Sequence, residues 1–64
     1  MKYIKVKTTE PNSYTVYINP DHIDCVEEAG DNARIKLNGG NSRTYETIES
    51  AETIMRLIGM VHAD

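Results

Sequence analysis

The sequence contains no tryptophan and no phenylalanine. Its core must therefore be built from isoleucine, valine, leucine, methionine and tyrosine. The chain has 64 residues, and a domain of that size buries only about 60% of the surface that its unfolded chain exposes. So small a core is often completed by association, because any partner that binds only the folded state stabilises it. We therefore expect a single domain over residues 1–64 that binds a protein partner or forms a homo-oligomer.

Cysteine is scarce as well, since Cys25 is the only one. No disulfide can therefore form within the chain. Residues 1–7 alternate charged and apolar side chains, which differs from the continuous apolar centre of a signal peptide. A reducing, cytoplasmic location is expected on these grounds. No apolar run approaches the ~20 residues that a membrane-spanning helix needs, so no membrane association is expected.

Basic residues are outnumbered by acidic ones, 7 against 10, and the formal net charge is -3. This balance argues against nonspecific binding of nucleic acid. The acidic residues are also concentrated, because five of them fall within a stretch that contains no lysine or arginine: Asp21, Asp24, Glu27, Glu28 and Asp31. Most basic residues lie instead in the ranges 2–7 and 34–43.

Alternating apolar and polar residues predict short strands. Ile4 and Val6 would share the inner face of one strand, as would Ala33, Ile35 and Leu37 in another. In the strand predicted at 14–18, Tyr14, Val16 and Ile18 share one face, and Thr15 and Tyr17 share the other. The predicted strands cover about 2–8, 14–18, 23–28, 33–37 and 42–46.

Residues typical of turns separate these strands. Glu10-Pro11-Asn12-Ser13, Ala29-Gly30-Asp31-Asn32 and Asn38-Gly39-Gly40-Asn41 each predict a tight connection. The alternation fails between Ile23 and Val26, which are three residues apart. Both can face the core only with a bulge or with a short helical turn around 20–23. We favour the turn, with the strand beginning near Asp24.

The end of the sequence predicts one helix, at about 51–61. Ser50 is a good N-cap residue, and one apolar helical face is formed by Ile54, Leu57, Ile58 and Val61. Gly59 weakens the last turn, so we expect the helix to fray before His62. The apolar face needs a surface to cover it, either on its own sheet or on a partner. The fold class is α+β: a small antiparallel sheet, or a curled barrel-like sheet, of about five strands followed by one C-terminal helix.

His22 and Cys25 form the only cluster of ligand-type side chains, with His62 as a third candidate. A structural zinc site normally needs four cysteine or histidine ligands in closely spaced pairs. A Cys–His nucleophilic pair would need an orienting third group and an oxyanion hole, and nothing marks either one. Gly39-Gly40 lacks the lysine and the helix that follow a phosphate-binding loop. We therefore expect no metal, no cofactor and no enzymatic activity.

The outward faces of the predicted strands are basic and carry tyrosine. If the strands are neighbours, one basic stripe results, which could contact a protein or bind phosphates and stack a base. The candidate binding residues are Tyr3, Lys5, Lys7, Tyr17, Arg34, Lys36 and Arg43.

The order of these elements resembles a family of small proteins. The segments 17–23, 26–28 and 33–40 and the Glu49-Ser50 helix entry are similar to the short bacterial FlbD-type proteins linked to flagella and swarming. The strand–turn–strand unit also resembles the first half of a LytTR DNA-binding domain. The similarity covers about residues 14–58. Thr44 and Tyr45 stand where the FlbD pattern has apolar residues, and the chain shows no counterpart of the basic second half of LytTR. The resemblance implies the fold and brings no catalytic residues.

These observations together predict a non-enzymatic accessory or regulatory protein, bacterial or phage-encoded, that acts by protein–protein interaction. The alternative is a small nucleic-acid-binding protein that uses a basic sheet face.

Overall fold

A computed structural model describes residues 2–39 and 43–62 of the chain. The order of elements is β1 (Ile4–Lys7), β2 (Thr15–Ile18), a 3-10 turn (Pro20–His22), β3 (Ile23–Ala29), β4 (Asn32–Leu37), β5 (Thr44–Thr47) and α1 (Ala51–His62). The predicted α+β class, with five antiparallel strands and one C-terminal helix, is confirmed. The predicted turn at 38–41 and the start of the strand predicted at 42–46 fall partly outside the described residues.

The strands form two antiparallel sheets, which do not close into a barrel. One sheet contains β1 and β2, and the other has the order β3-β4-β5. The two sheets meet where Thr8 pairs with Thr47. Two backbone hydrogen bonds flank this bridge: the Thr9 amide donates to Glu46 over 3.1 Å, and the Ile48 amide donates to Lys7 over 2.9 Å.

Both the short helical turn and the β-bulge that were considered for the stretch around Ile23 are present. Pro20 starts a 3-10 turn, and the Asn19 side-chain oxygen caps this turn by accepting a 3.0 Å hydrogen bond from the Asp21 amide. The register then shifts between Ile23 and Cys25, as in a β-bulge. The strand begins at Ile23, which agrees with the predicted range of about 23–28 and is one residue before the start favoured near Asp24. The turn and the bulge together let Ile23 and Val26 both pack against the core.

The core lies between the two sheets and the helix. Its buried apolar residues are Ile4, Val6, Ile18, Ala33, Ile35, Ala51 and Ile54. Two threonines, Thr8 and Thr47, are buried with them. Tyr14, grouped with Val16 and Ile18 on one predicted face, does not share the burial of Ile18, because its side chain is 54% exposed. Tyr14 lies before the first residue of β2, and it faces Thr8, whose hydroxyl accepts a hydrogen bond from the Tyr14 amide.

The helix packs on its own sheets, where it contacts β1, β3 and β4. Ser50 caps it as predicted, since its hydroxyl accepts a 3.2 Å hydrogen bond from the Thr53 amide. The predicted fraying before His62 is wrong, because the helix continues through Gly59 to His62. Contacts hold this last turn: Val61 packs against the core, and His62 Nε2 lies 3.6 Å from Asp21 Oδ1.

Candidate functional site

The outer side of the β1–β2 sheet carries two of the predicted tyrosines and two of the predicted lysines. Lys5 lies directly opposite Tyr17 in the register, and Lys7 lies opposite Thr15. Tyr3 precedes β1 on the same alternation as Lys5. Tyr17 is 63% exposed and Tyr3 46% exposed. We call this surface, formed by Tyr3, Lys5, Lys7 and Tyr17, the tyrosine–lysine face.

The side chains of Lys5 and Lys7 have no ion-pair partner among residues 2–39 and 43–62. The carboxylate of Glu49 does approach β1, but it accepts hydrogen bonds from the Lys7 backbone amide, at 3.1 and 3.2 Å. It therefore helps to attach the start of the helix to the strand. Both lysine ammonium groups remain available for a charge on another molecule.

Arg34 and Lys36 lie in a different electrostatic environment, on the outer side of the β3–β4–β5 sheet. Glu27, Arg34 and Glu46 form a row across the three strands, because each is paired with the next in the register. The Arg34 guanidinium lies 3.3 Å from Glu27 and 3.6 Å from Glu46. Lys36 Nζ lies 3.4 Å from the second Glu27 oxygen. The charges of Arg34 and Lys36 are thus neutralised within the chain.

These contacts also change the ionisation of Glu27. The hydrogen bond from Arg34 and the nearby charge of Lys36 lower the pKa of this carboxyl below its ordinary value of 4.5. Glu27 therefore keeps its charge to a lower pH than an isolated glutamate does. All the side chains in the row remain 40% to 58% exposed, so the row is a surface network, and solvent weakens each of its ion pairs.

Arg43 lies apart from the other candidates, immediately before β5. Its Nη1 donates a 3.0 Å hydrogen bond to the Tyr45 hydroxyl, and its Cζ lies 5.8 Å from the centre of the Tyr45 ring. This is the distance of a cation–π contact. The side chain is therefore engaged with its own strand.

The seven candidate binding residues therefore occupy three places. The single stripe required β1 and β4 to be neighbours, but β1 pairs with β2 and β4 lies between β3 and β5. Only the tyrosine–lysine face combines exposed aromatic side chains with cations that lack a partner in the described part of the chain. Its role in binding stays a prediction.

The structure does not bring His22, Cys25 and His62 together. Cys25 is half-buried on β3, and His62 lies beside Asp21. Within the described residues, no group of three or more histidine, cysteine, aspartate or glutamate side chains could hold a metal ion. A groove of about 260 Å³ lies where the helix ends against the 3-10 turn, and its lining residues are Lys2, Asn19, Pro20, Asp21, Val61 and His62.

The acidic residues of the range 21–31 have different surroundings in the structure. Glu27 pairs with basic residues and Asp21 lies beside His62. Asp24, Glu28 and Asp31 are exposed and have no ion-pair partner within the described ranges. We call these three residues, along β3 and the turn after it, the acidic edge. Alternation along β3 places Glu27 and Glu28 on opposite sides of the strand, and the register then sets Glu27 opposite Arg34 and Glu28 opposite Ala33.

No protein-family model, curated protein or solved structure matches the chain. Among the described residues, no helix has the length and apolar character to cross a membrane.

Proposed function

We propose that this chain is a non-enzymatic accessory or regulatory protein that contacts another protein through its tyrosine–lysine face. The observation that carries this proposal is the pairing of Lys5 with Tyr17 on an exposed sheet surface, where the lysine has no ion-pair partner among residues 2–39 and 43–62. A second exposed tyrosine, Tyr3, lies two residues before Lys5 on the same alternation.

Tyrosine suits such a contact for physical reasons. Its ring buries a large apolar area on binding, and its hydroxyl can still form a hydrogen bond. Tyrosine is accordingly enriched at protein interfaces, whereas lysine is depleted from their centres and contributes at the rim. Lys5 and Lys7 would therefore steer an acidic partner towards the face, while Tyr3 and Tyr17 would supply the buried area.

The resemblance to FlbD-type proteins supports a bacterial or phage-encoded regulatory role. The lone cysteine supports a cytoplasmic location. The non-enzymatic character rests on the residue types in the sequence, which offer no recognisable nucleophile–base pair or metal-ligand set.

A pull-down from cell lysate tests the proposed contact. The test variant combines Tyr17→Ala with Lys5→Ala. A matched control combines Met60→Ala with Arg56→Ala, because Met60 is 62% exposed and the Arg56 side chain is 65% exposed, both on the helix. We expect the wild type and the control to capture the same protein and the test variant to lose it. Circular dichroism should show that all three chains keep their fold. Equal capture by the test variant would contradict the proposal.

The second candidate function is binding of single-stranded nucleic acid. The same face favours it, since tyrosines can stack bases while lysines contact phosphates. Arg34 and Lys36 are engaged with Glu27, so the face offers only Lys5 and Lys7. Two phosphate contacts on a single strand predict a slope of about -1.4 when the logarithm of affinity is plotted against that of salt concentration. An oligonucleotide titration at several salt concentrations measures this slope, and no binding at low salt removes this candidate.

A further inference from the structure

Two surfaces of this chain carry charge that the described part of the chain does not neutralise, and the two charges are opposite. The tyrosine–lysine face presents Lys5 and Lys7. The acidic edge presents Asp24, Glu28 and Asp31, all of them exposed. Elsewhere the described chain pairs its charges readily, as in the contacts of Arg34 with Glu27 and Glu46. Apart from Glu10, Arg43 and Glu49, the carboxylate, lysine and arginine side chains without an ion pair in the described chain lie on these two surfaces.

The two surfaces also involve strands at the edges of their sheets. In the described part of the chain, β2 pairs only with β1, and β3 pairs only with β4. Each of these strands has one side without a neighbouring strand. Tyr17 lies on β2, and Asp24 and Glu28 lie on β3. The tyrosine–lysine face and the acidic edge thus belong to different sheets of the same molecule.

We propose that the partner of the tyrosine–lysine face is the acidic edge of a second copy of this chain. This inference rests on the proposed function, since it names the partner of the same face. Charge complementarity carries it: the chain itself supplies the acidic surface that the lysines would select. The net charge of -3 repels two copies at long range. Ions screen that repulsion beyond a Debye length of about 10 Å at 0.1 M salt, whereas opposite charges in contact are screened less.

The contact between two copies would join two different surfaces, the tyrosine–lysine face of one copy and the acidic edge of the other. Each copy would use its face towards one neighbour and its edge towards the other, which is a head-to-tail contact. Contacts of this kind form a ring if the rotation between copies closes, and an open filament if it does not. Tyr3 and Tyr17, exposed in the single chain, would become covered.

The first measurement is the mass in solution, by light scattering during size-exclusion chromatography over a range of protein concentrations. We expect the mass to rise above that of the single 7.2 kDa chain at about 0.1 M salt, where the net repulsion is screened, and to fall back at about 1 M salt. A single-chain mass at every concentration in about 0.1 M salt would overturn the inference.

Charge exchange between two variants identifies the surfaces. Lys5→Glu with Lys7→Glu makes the face acidic, and Asp24→Lys with Glu28→Lys makes the edge basic. Each variant alone has two surfaces of the same sign, so we expect each to keep the single-chain mass. An equimolar mixture restores both opposite pairings, so we expect the mass to rise again. This recovery would also show that both variants fold.

A matched control excludes attraction by net charge alone. Asp24→Ala with Glu28→Ala and Glu10→Lys gives the same net charge as the edge variant, but it leaves the edge without basic residues. Mixed with the face variant, this control chain contributes only its native lysine face, because its own edge has lost Asp24 and Glu28, and no basic edge meets the acidic face. We expect the face and control variants to stop at pairs, while the face and edge variants form larger assemblies. Equal masses in the two mixtures would overturn the inference.

The two proposals fail in different ways. If the chain stays single while the Tyr17→Ala, Lys5→Ala variant loses a captured protein, the second-copy inference is overturned and the proposed function stands. If charge exchange restores assembly while lysate capture does not depend on the face, the inference stands and the contact with another protein is contradicted.

Discussion

Thr8 and Thr47 face each other across the junction of the two sheets, and both are buried, at 7% and 0% exposure. Each hydroxyl is satisfied by the backbone. Thr8 Oγ1 accepts from the Tyr14 amide at 2.9 Å, and Thr47 Oγ1 donates to the Glu49 carbonyl at 3.0 Å. The junction is thus a polar contact inside an apolar core, and it connects the hairpin, the last strand and the entry to the helix.

Thr47→Val tests the contribution of this junction to stability. Valine has nearly the same shape as threonine, but it cannot donate the hydrogen bond that the Glu49 carbonyl accepts from the Thr47 hydroxyl. We expect the free energy of unfolding to fall by about 1–3 kcal/mol, measured by urea denaturation. Thr44→Val is the control, because Thr44 is exposed on the same strand and should change stability by no more than about 0.5 kcal/mol. Equal effects of the two changes would show that the buried hydroxyl has no special role.

Ile54 anchors the helix to the sheets, since it is fully buried. Ile54→Ala removes most of this side chain and should cost about 2–5 kcal/mol, which is a large part of the 5–15 kcal/mol typical of folded domains. The neighbouring Met55 is 56% exposed, so Met55→Ala should have little effect on the midpoint of thermal unfolding. A small effect at Ile54 would argue against packing of the helix on its own sheets.

Glu27 should make stability depend on pH. Arg34 and Lys36 lower its pKa in the folded chain below 4.5. The ion pairs therefore stabilise the fold above the unfolded-state pKa, and this contribution disappears as pH falls through the folded-state pKa. We expect Glu27→Gln to be less stable than the wild type at neutral pH, and the difference to shrink as pH falls below about 4.5. Urea unfolding of both chains over a pH series measures it.

A titration of the Glu27 carboxyl by nuclear magnetic resonance identifies the cause directly. Arg34→Gln removes the group with the largest effect, so the pKa of Glu27 should rise towards 4.5. An unchanged pKa in that variant would show that the hydrogen bond from Arg34 is not responsible.

Gly59 offers a stabilising change. It lies inside the helix, and a Cβ atom placed there meets no heavy atom within 4 Å. Gly59→Ala should therefore raise the free energy of unfolding by about 0.5–1 kcal/mol. Gly30 has equally open surroundings but a φ of +65°, which costs other residues about 1–2 kcal/mol. Gly30→Ala should thus destabilise the chain, and opposite shifts of the two thermal midpoints check both expectations.

Local patterns predicted most of the fold. Ser50 and the spacing of Ile54, Leu57, Ile58 and Val61 gave the helix and its start, because capping and helical periodicity depend only on nearby residues. Gly30 and Asp31 gave the two-residue turn between β3 and β4 for the same reason.

Contacts between distant parts of the chain were not predictable in this way. The alternation of side chains placed Lys5, Tyr17 and Arg34 on outer faces, but it does not specify which strands are neighbours. The neutralisation of Arg34 depends on the register that aligns it with Glu27 and Glu46. The separation of the candidate binding residues into three places therefore depends on which strands are neighbours, and the alternation of side chains does not determine this.

The junction at Thr8 and Thr47 has a consequence for the order of folding. The β3–β4 hairpin closes across Gly30 and Asp31 alone, so its loop-closure entropy is small. The junction instead closes a loop that contains β2, β3 and β4, and long loops lose more entropy on closure. The two sheets are therefore expected to join after the β3–β4 hairpin has formed. Weakening the junction should then speed unfolding while leaving the folding rate nearly unchanged.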